Sequence, residues 1–487
     1  MAKYPDAKLL IDGELRPAEN GATYPDIGPW DGEEIGRAAD ASLGDLDKAI
    51  GAARRAFDTT DWSTNHKKRV ATLRVFADLL RKNRDRLAEI AHDEVGAPLG
   101  TIFSAQCDWP LGMLDFVLDT ADNYEWEDDL GVAKSGPGAN SRRKVWKEPV
   151  GVVAAITPWN VPTQINLAKI VPALAAGCTV ILKPAPETPM LAAVLGEVAV
   201  EAKLPPGVFN VITSSGPAEI GEALVKDPRV DLISFTGSTA TGKRIMANAA
   251  EKLSRVFLEL GGKSAMIVLD DADFIPAVSR AAGVVYNAGQ GCATHTRLLV
   301  PKSRYDEAIA ILTQVMGSIQ YGDPTAPTQI MGPLISDRQR QRVMSYIEIG
   351  KQEGARLVLG GKIPAKHDKG FWFEPTLFAD VTNDMRIAQE EIFGPVLVVI
   401  PFEDDEDAIR IANDSIYGLS GGVASKSMER ALNVARKVRT GTFSVNGGSW
   451  FAGDTPFGGF KQSGIGREMG VAGFEEYLEL KTVGLPA

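Results

Sequence analysis

VGVVAAITPWN, Val150–Asn160, decides the fold. A short uninterrupted apolar run ends in Thr-Pro-Trp-Asn, and a helical segment, TQINLAKIVPALAAG (163–177), follows it. The same alternation then repeats. TVILKP (179–184), FNVIT (209–213), DLISFT (231–236) and RVFLELGG (255–262) are short and apolar, and each is separated from the next by a helical stretch. Continuous apolar strands alternating with helices predict a parallel sheet covered on both faces. In such sheets ligands bind at the carboxyl ends of the strands.

A second alternating stretch begins at about 264. It holds SAMIVLDDAD, a helix near 274–288, TRLLVPK, a helix from 303 to about 317, PVLVVIPFE, GGVAS and TGTFSVNGG. This predicts a second α/β domain. Upstream, 66–92 has Val70, Leu73, Phe76 and Leu80 at helical spacing, which predicts one long amphipathic helix packed on a domain. Residues 128–142, DDLGVAKSGPGANSR, read as a loop or hairpin. The terminal YLELKTVGL (477–485) reads as a strand without a partner nearby in sequence, so it is expected to add to another subunit's sheet.

The chain has 487 residues, too many for one hydrophobic core. Its net charge of −11 argues against nucleic acid or an anionic membrane as partner. The opening MAKYPDAKLLIDGE has no apolar core of a secretory signal, and no apolar run reaches membrane-spanning length. Only three cysteines, Cys107, Cys178 and Cys292, and four histidines are present. They predict a reducing cytoplasm, no disulfide framework and no metal site.

Polar residues fall where the sheet should present a ligand. Asn160 ends the first strand, Lys183 the second, Thr236 to Ser238 the fourth, and Glu259 with Gly261 and Gly262 the fifth. Glu259 interrupts VFLEL. It is either an edge residue facing water or a general base whose pKa burial raises. Lys183 reads equally as a surface charge or as a phosphate or ribose ligand. FTGSTATGKR (235–244) nearly spells a phosphate-binding loop, but Arg244 stands where a hydroxyl should hold magnesium, so an NTPase is a weak alternative. Cys107 and Cys178 read as core thiols. Cys292 lies in the Gly-rich turn GQGCATHT (289–296). It is a nucleophile with His295 as base, as in a Cys-dependent hydrolase, or a nucleophile with another base, or a small core residue.

Seven segments together resemble the aldehyde dehydrogenase superfamily: ITPWN (156–160), LKPAPETP (182–189), FTGST (235–239), LELGGKS (258–264), GQGCA (289–293), EEIFGPV (390–396) and PFGGFKQSGIGRE (456–468). The resemblance implies an α/β protein with three parts. A Rossmann-like cofactor domain spans 1–125 and 148–258, a catalytic α/β domain 259–457, and a small β oligomerisation element 126–147 and 473–487. It implies that Cys292 attacks an aldehyde, that Asn160 and the Cys292 N–H hold the oxyanion, and that Glu259 activates water to release a carboxylic acid. Glu468 would join a proton path.

For the cofactor the resemblance implies Lys183 at the adenine-side ribose and the Phe235–Gly237–Ser238 turn under the pyrophosphate. Glu391 and Phe393 would sit at the nicotinamide end. Further contacts are expected from Ile156, Thr157 and Trp159, from Ala185, Pro186 and Gly216, and from Leu260 and Gly261. NAD is the expected cofactor. NADP stays open because Pro186 occupies the place where NAD-preferring members often carry an acidic residue. The implied access tunnel, with Val161, Gln164, Ile165 and Ala168 on one side and Trp450 and Phe451 opposite, predicts aromatic or medium-chain apolar aldehydes. A homodimer or homotetramer is expected.

Overall fold

The computed structural model describes residues 3–136 and 138–487. Among the described residues the strands form four sheets. The largest has eight strands. Its centre is the predicted parallel set, in the order Arg255–Glu259, Leu232–Thr236, Val152–Ile156, Thr179–Lys183, Phe209–Val211. The strands align so that Ile156 pairs with both Phe235 and Lys183, and Thr236 with Glu259. Their carboxyl ends therefore finish at one level and put the polar residues in a single row.

The helix Pro162–Ala176 lies under this sheet, with every residue buried except Ala168. An all-round apolar helix is a core helix, and one lysine, Lys169, is inside it. Both edges of the sheet are closed by antiparallel strands. Leu9–Ile11 pairs with Phe209–Val211, and Gly464–Ile465 pairs with the Glu259 strand. Glu259 is thus in an interior strand, 2% exposed, and the edge alternative does not hold.

The second sheet has seven strands, with Ser264–Val268 parallel to both His295–Pro301 and Gly421–Ala424. Glu259 and Ser264 are only five positions apart, so the chain passes from one sheet to the other directly behind the site.

Two expectations change. The long amphipathic helix is divided at Asn83, into His66–Lys82 and Arg84–Ile90. The Asn83 side chain donates to Leu79 O at 2.9 Å, the local competition with the helix ladder that asparagine offers. The terminal strand, Leu478–Pro486, is not orphaned. It pairs antiparallel with Ala139–Pro149, which forms a hairpin with Glu127–Ser135. Its partner lies more than 300 positions upstream, beyond the reach of local patterning. Among the described residues no helix is long and apolar enough to cross a membrane.

Candidate active site

Cys292 sits on a turn that the chain holds in an unfavourable backbone shape. Asn287 and Ala288 both have φ +51° and Gly289 has φ +73°. Left-handed non-glycine residues cost on the order of 1–3 kcal/mol each and persist only when their surroundings dictate them. Here Gly289 has no alternative: a Cβ would stand 2.0 Å from Gly394 O. The turn is then tied down from several directions. Gln290 Oε1 accepts from Ile335 N at 2.9 Å, and Gln290 Nε2 donates to Asn287 O at 3.0 Å. Asn160 O accepts from Gln106 Nε2 and from Asn287 Nδ2, both at 2.9 Å. Asn160 Nδ2 donates to Gln290 O at 2.9 Å, which leaves its second hydrogen free to meet a developing negative charge. Among the described residues the Cys292 N–H has no backbone acceptor.

The half-buried thiol stands where two cavities meet. The larger, of about 580 Å³, is lined by Cys292, Asn160, Glu259 and Glu468, with Val161, Gln164 and Ile165 on one wall. Cys292 and Asn160 also line a second, of about 400 Å³. Burial and the nearby Glu259 and Glu391 carboxylates push the thiol up to about 12. The cofactor-free site therefore holds thiol, and a productive complex has to lower that value.

Glu259 brings a buried carboxylate to the larger cavity. Among the described residues neither carboxylate oxygen has a hydrogen-bond partner. Gly458 leaves it room, since a Cβ there would lie 2.7 Å from Glu259 Oε1. Burial raises its pKa well above the usual carboxylate range, and the Glu468 charge adds to the effect. Glu468 is itself paired: Lys169 Nζ donates to Glu468 Oε1 at 3.1 Å and to Ser234 Oγ at 3.2 Å. Carboxylate, carboxylate and ammonium thus run from the cavity into the core. His295 also lines the larger cavity, but its ring is engaged elsewhere. It begins the strand His295–Pro301, its ring is bonded to the Gly421 backbone, and burial pulls its pKa down to about 4.

The expected cofactor residues divide. Trp159, Gly237 and Ser238 line the second cavity, as do Leu260, Gly261, Glu391 and Phe393. Glu391 Oε1 accepts from Gly262 N at 3.0 Å, and Phe393 meets Trp159 edge-on at 5.4 Å. Ile156 and Phe235 line a third cavity of about 220 Å³ between the helices Pro217–Lys226 and Thr239–Ala250. Thr157, Lys183, Ala185, Pro186 and Gly216 line none of the three. Lys183 is nonetheless close, its Cε 3.9 Å from a Cβ placed on Gly221 of the third cavity. It is 2% exposed, and burial lowers its pKa to about 8. Among the described residues its ammonium bonds only Pro184 O, at 3.3 Å, leaving donors for a polar ligand. Lys243, the lysine of the near phosphate loop, is exposed in the second turn of its helix, not over the N-terminus.

In the larger cavity Ala168 is absent, lining instead a small apolar pocket behind it. Trp450 and Phe451 line the cavity, with Phe457 stacked on Trp450 at 5.4 Å and Trp109 stacked on Phe451 at 5.2 Å. Gln106, Trp109, Lys169, Asn287 and Gln290 were not singled out in the sequence. Only Lys169 carried a local signal, a charge in an otherwise apolar helix.

Fold and site together define a class: an α/β enzyme with two large sheets and a free thiol where two cavities meet. The aldehyde dehydrogenase family profile matches residues 16–483, and the chain belongs to that family. It is 41% identical over 479 residues to the betaine aldehyde dehydrogenase of Bacillus subtilis, covering 98% of this chain and 96% of the relative. It is also 41% identical to a 3-succinoylsemialdehyde-pyridine dehydrogenase of a Pseudomonas species, over 98% of both chains. An aldehyde dehydrogenase of Mycobacterium tuberculosis, complexed with NAD+, matches at a TM-score of 0.95 and 42% identity over 100% of this chain and 99% of its own. Betaine aldehyde dehydrogenase of Staphylococcus aureus, in complex with NAD+, matches at 0.94 and 38% identity over 98% and 94%.

Proposed function

We propose that this enzyme oxidises aromatic or medium-chain apolar aldehydes to carboxylic acids, with NAD as cofactor and NADP as the competing choice. The observation that carries this reading is the position of Cys292 and Asn160 on both cavities, with Glu259 on the larger. The second cavity fits a nicotinamide nucleotide. Gly261 has no Cβ, which would stand 2.4 Å from Glu391 Oε2, and small residues at Gly237 and Ser238 leave a helix N-terminus open. When bound, the oxidised nicotinamide supplies the acceptor for the hydride.

Cys292 Sγ, as thiolate, forms a bond to the aldehyde carbon, and the carbonyl electron pair becomes an alkoxide. Asn160 Nδ2 and the Cys292 N–H hold that oxygen. Loss of hydride from the same carbon restores the carbonyl and leaves a thioester on Cys292. Glu259 takes a proton from water, the hydroxide displaces the thiolate, and the acid departs. Glu468 and Lys169 then provide groups to pass that proton inward. NAD heads the cofactor reading because relatives from Staphylococcus aureus and Mycobacterium tuberculosis have structures in complex with NAD+. NADP remains the comparison because Glu187, the carboxylate nearest Lys183 in sequence, is engaged with Arg338 at 3.0 Å.

We further propose the domain boundaries stated above and an oligomer built on the three-stranded sheet. A nicotinamide-absorbance screen of an aldehyde panel with both cofactors tests the function. Turnover should require cofactor and vanish in Cys292→Ala. Turnover that survives in Cys292→Ala overturns the assignment.

A further inference from the structure

The larger cavity is lined by two carboxyl groups and one guanidinium. Glu259 and Glu468, both buried, stand at its inner end with Cys292. Among the described residues lining it, Arg280 is the one lysine or arginine, and it is exposed to solvent. Arg280 opens the 3-10 segment Arg280–Gly289 that leads to the Cys292 turn, so one short stretch of backbone relates guanidinium to thiol. Its head lies against Gly447, φ +80°, where a Cβ would be 3.2 Å from the guanidinium carbon. Gly447 therefore leaves the space the head occupies, on the loop that continues to Trp450 and Phe451.

Two further observations point to a ligand. Other arginines of this chain, such as Arg84, Arg229 and Arg430, each hold a carboxylate. Arg280 holds none among the described residues, although its planar fork is the group best matched to one. Second, the wall around it is aromatic: Tyr286, Trp109 and Phe451 line the same cavity, and Trp109 and Tyr286 are exposed. At about 580 Å³ the cavity far exceeds what a two- or three-carbon aldehyde needs.

We propose that Arg280 is a specificity-determining residue, selecting aldehydes that carry a carboxylate at the far end of an aromatic or medium-length apolar body. The apolar body fills the aromatic passage, the aldehyde reaches Cys292, and the carboxylate stays at the rim on Arg280. The carboxylate thereby stays out of the buried end of the cavity, where a second unpaired charge would be costly. The inference rests on the aldehyde-oxidising reading above and adds the substrate's second functional group.

The test compares octanal, suberate semialdehyde and the methyl ester of that semialdehyde, by kcat/KM, in the wild type, Arg280→Ala and Arg280→Lys. The wild type should favour the acid over its ester by about tenfold, a partly screened charge-assisted contact. The preference should reside in KM, weaken with added salt, fall toward unity in Arg280→Ala and persist in part in Arg280→Lys. Equal kcat/KM for acid and ester in the wild type, or an undiminished ratio in Arg280→Ala, overturns the role of Arg280 while octanal turnover leaves the aldehyde dehydrogenase reading standing. Failure of all three aldehydes with either cofactor overturns both.

Discussion

At the scale of the residue, Glu259 is a carboxylate without hydrogen-bond partners among the described residues, and burial raises its pKa well above the usual carboxylate range. Glu259→Gln should still transfer one hydride per site but stall on the thioester. A stopped-flow burst should be followed by steady turnover lowered about 100- to 10,000-fold. Undiminished steady turnover removes Glu259 as the base. In the wild type the hydrolytic rate should rise with pH as Glu259 loses its proton, well above the ordinary value of 4.5. Stability should move the opposite way. The folded state keeps a proton that the unfolded chain releases, so buried Glu259 costs stability increasingly as pH rises above 4.5. The Tm of Glu259→Gln minus that of the wild type should therefore grow with pH. For Cys292, whose thiol is pushed up to about 12, iodoacetamide labelling of the cofactor-free enzyme should be slow at neutral pH and accelerate toward that value. Fast labelling at neutral pH would show a thiolate already present.

At the scale of the element, strand ends and turns carry the site, and close backbone packing sets them. Gly261→Ala places a Cβ 2.4 Å from Glu391 Oε2, so Glu391 must leave its bond to Gly262 N. Cofactor binding, followed by nucleotide fluorescence titration, should weaken about tenfold, the loss of a charge-assisted hydrogen bond. An unchanged Kd would show that Glu391 does not hold the cofactor. The short strand Gly464–Ile465 supports Glu259 from the other side. A Cβ at Gly464 would stand 2.2 Å from Leu258 O. Gly464→Ala should cost about 1–3 kcal/mol by urea unfolding, because backbone cannot give way as a side chain can.

At the scale of the whole molecule, the terminal strand Leu478–Pro486 has its own-chain partner on one edge and an open edge on the other. Leu480 on it is 72% exposed and Val132 of the same sheet 59%. If the proposed oligomer is built on this sheet, Leu480→Lys should shift it toward smaller species in sedimentation velocity, and an unchanged distribution argues against this sheet as the interface. The parallel sheets and the strand ends were legible in the sequence, whereas the pairing of Cys292 with Glu259 came only as what the family resemblance implies. Apolar runs, motif spacing and a lone carboxylate in an apolar strand are local signals, and burial of apolar surface obliges a chain with that pattern to fold around them. Contacts across the chain decided the rest. The terminal strand found a partner more than 300 positions away. Gln106 and Ile335 hold the Cys292 turn from elsewhere in the chain. Ile335 binds it through a backbone N–H that carries no sequence signal. Whether Glu259 is edge or interior depended on Gly464 arriving beside it. Hydrogen bonds and steric fit act between atoms that only the folded chain brings within reach, so the sequence names the reacting groups and the tertiary structure sets how they stand to one another.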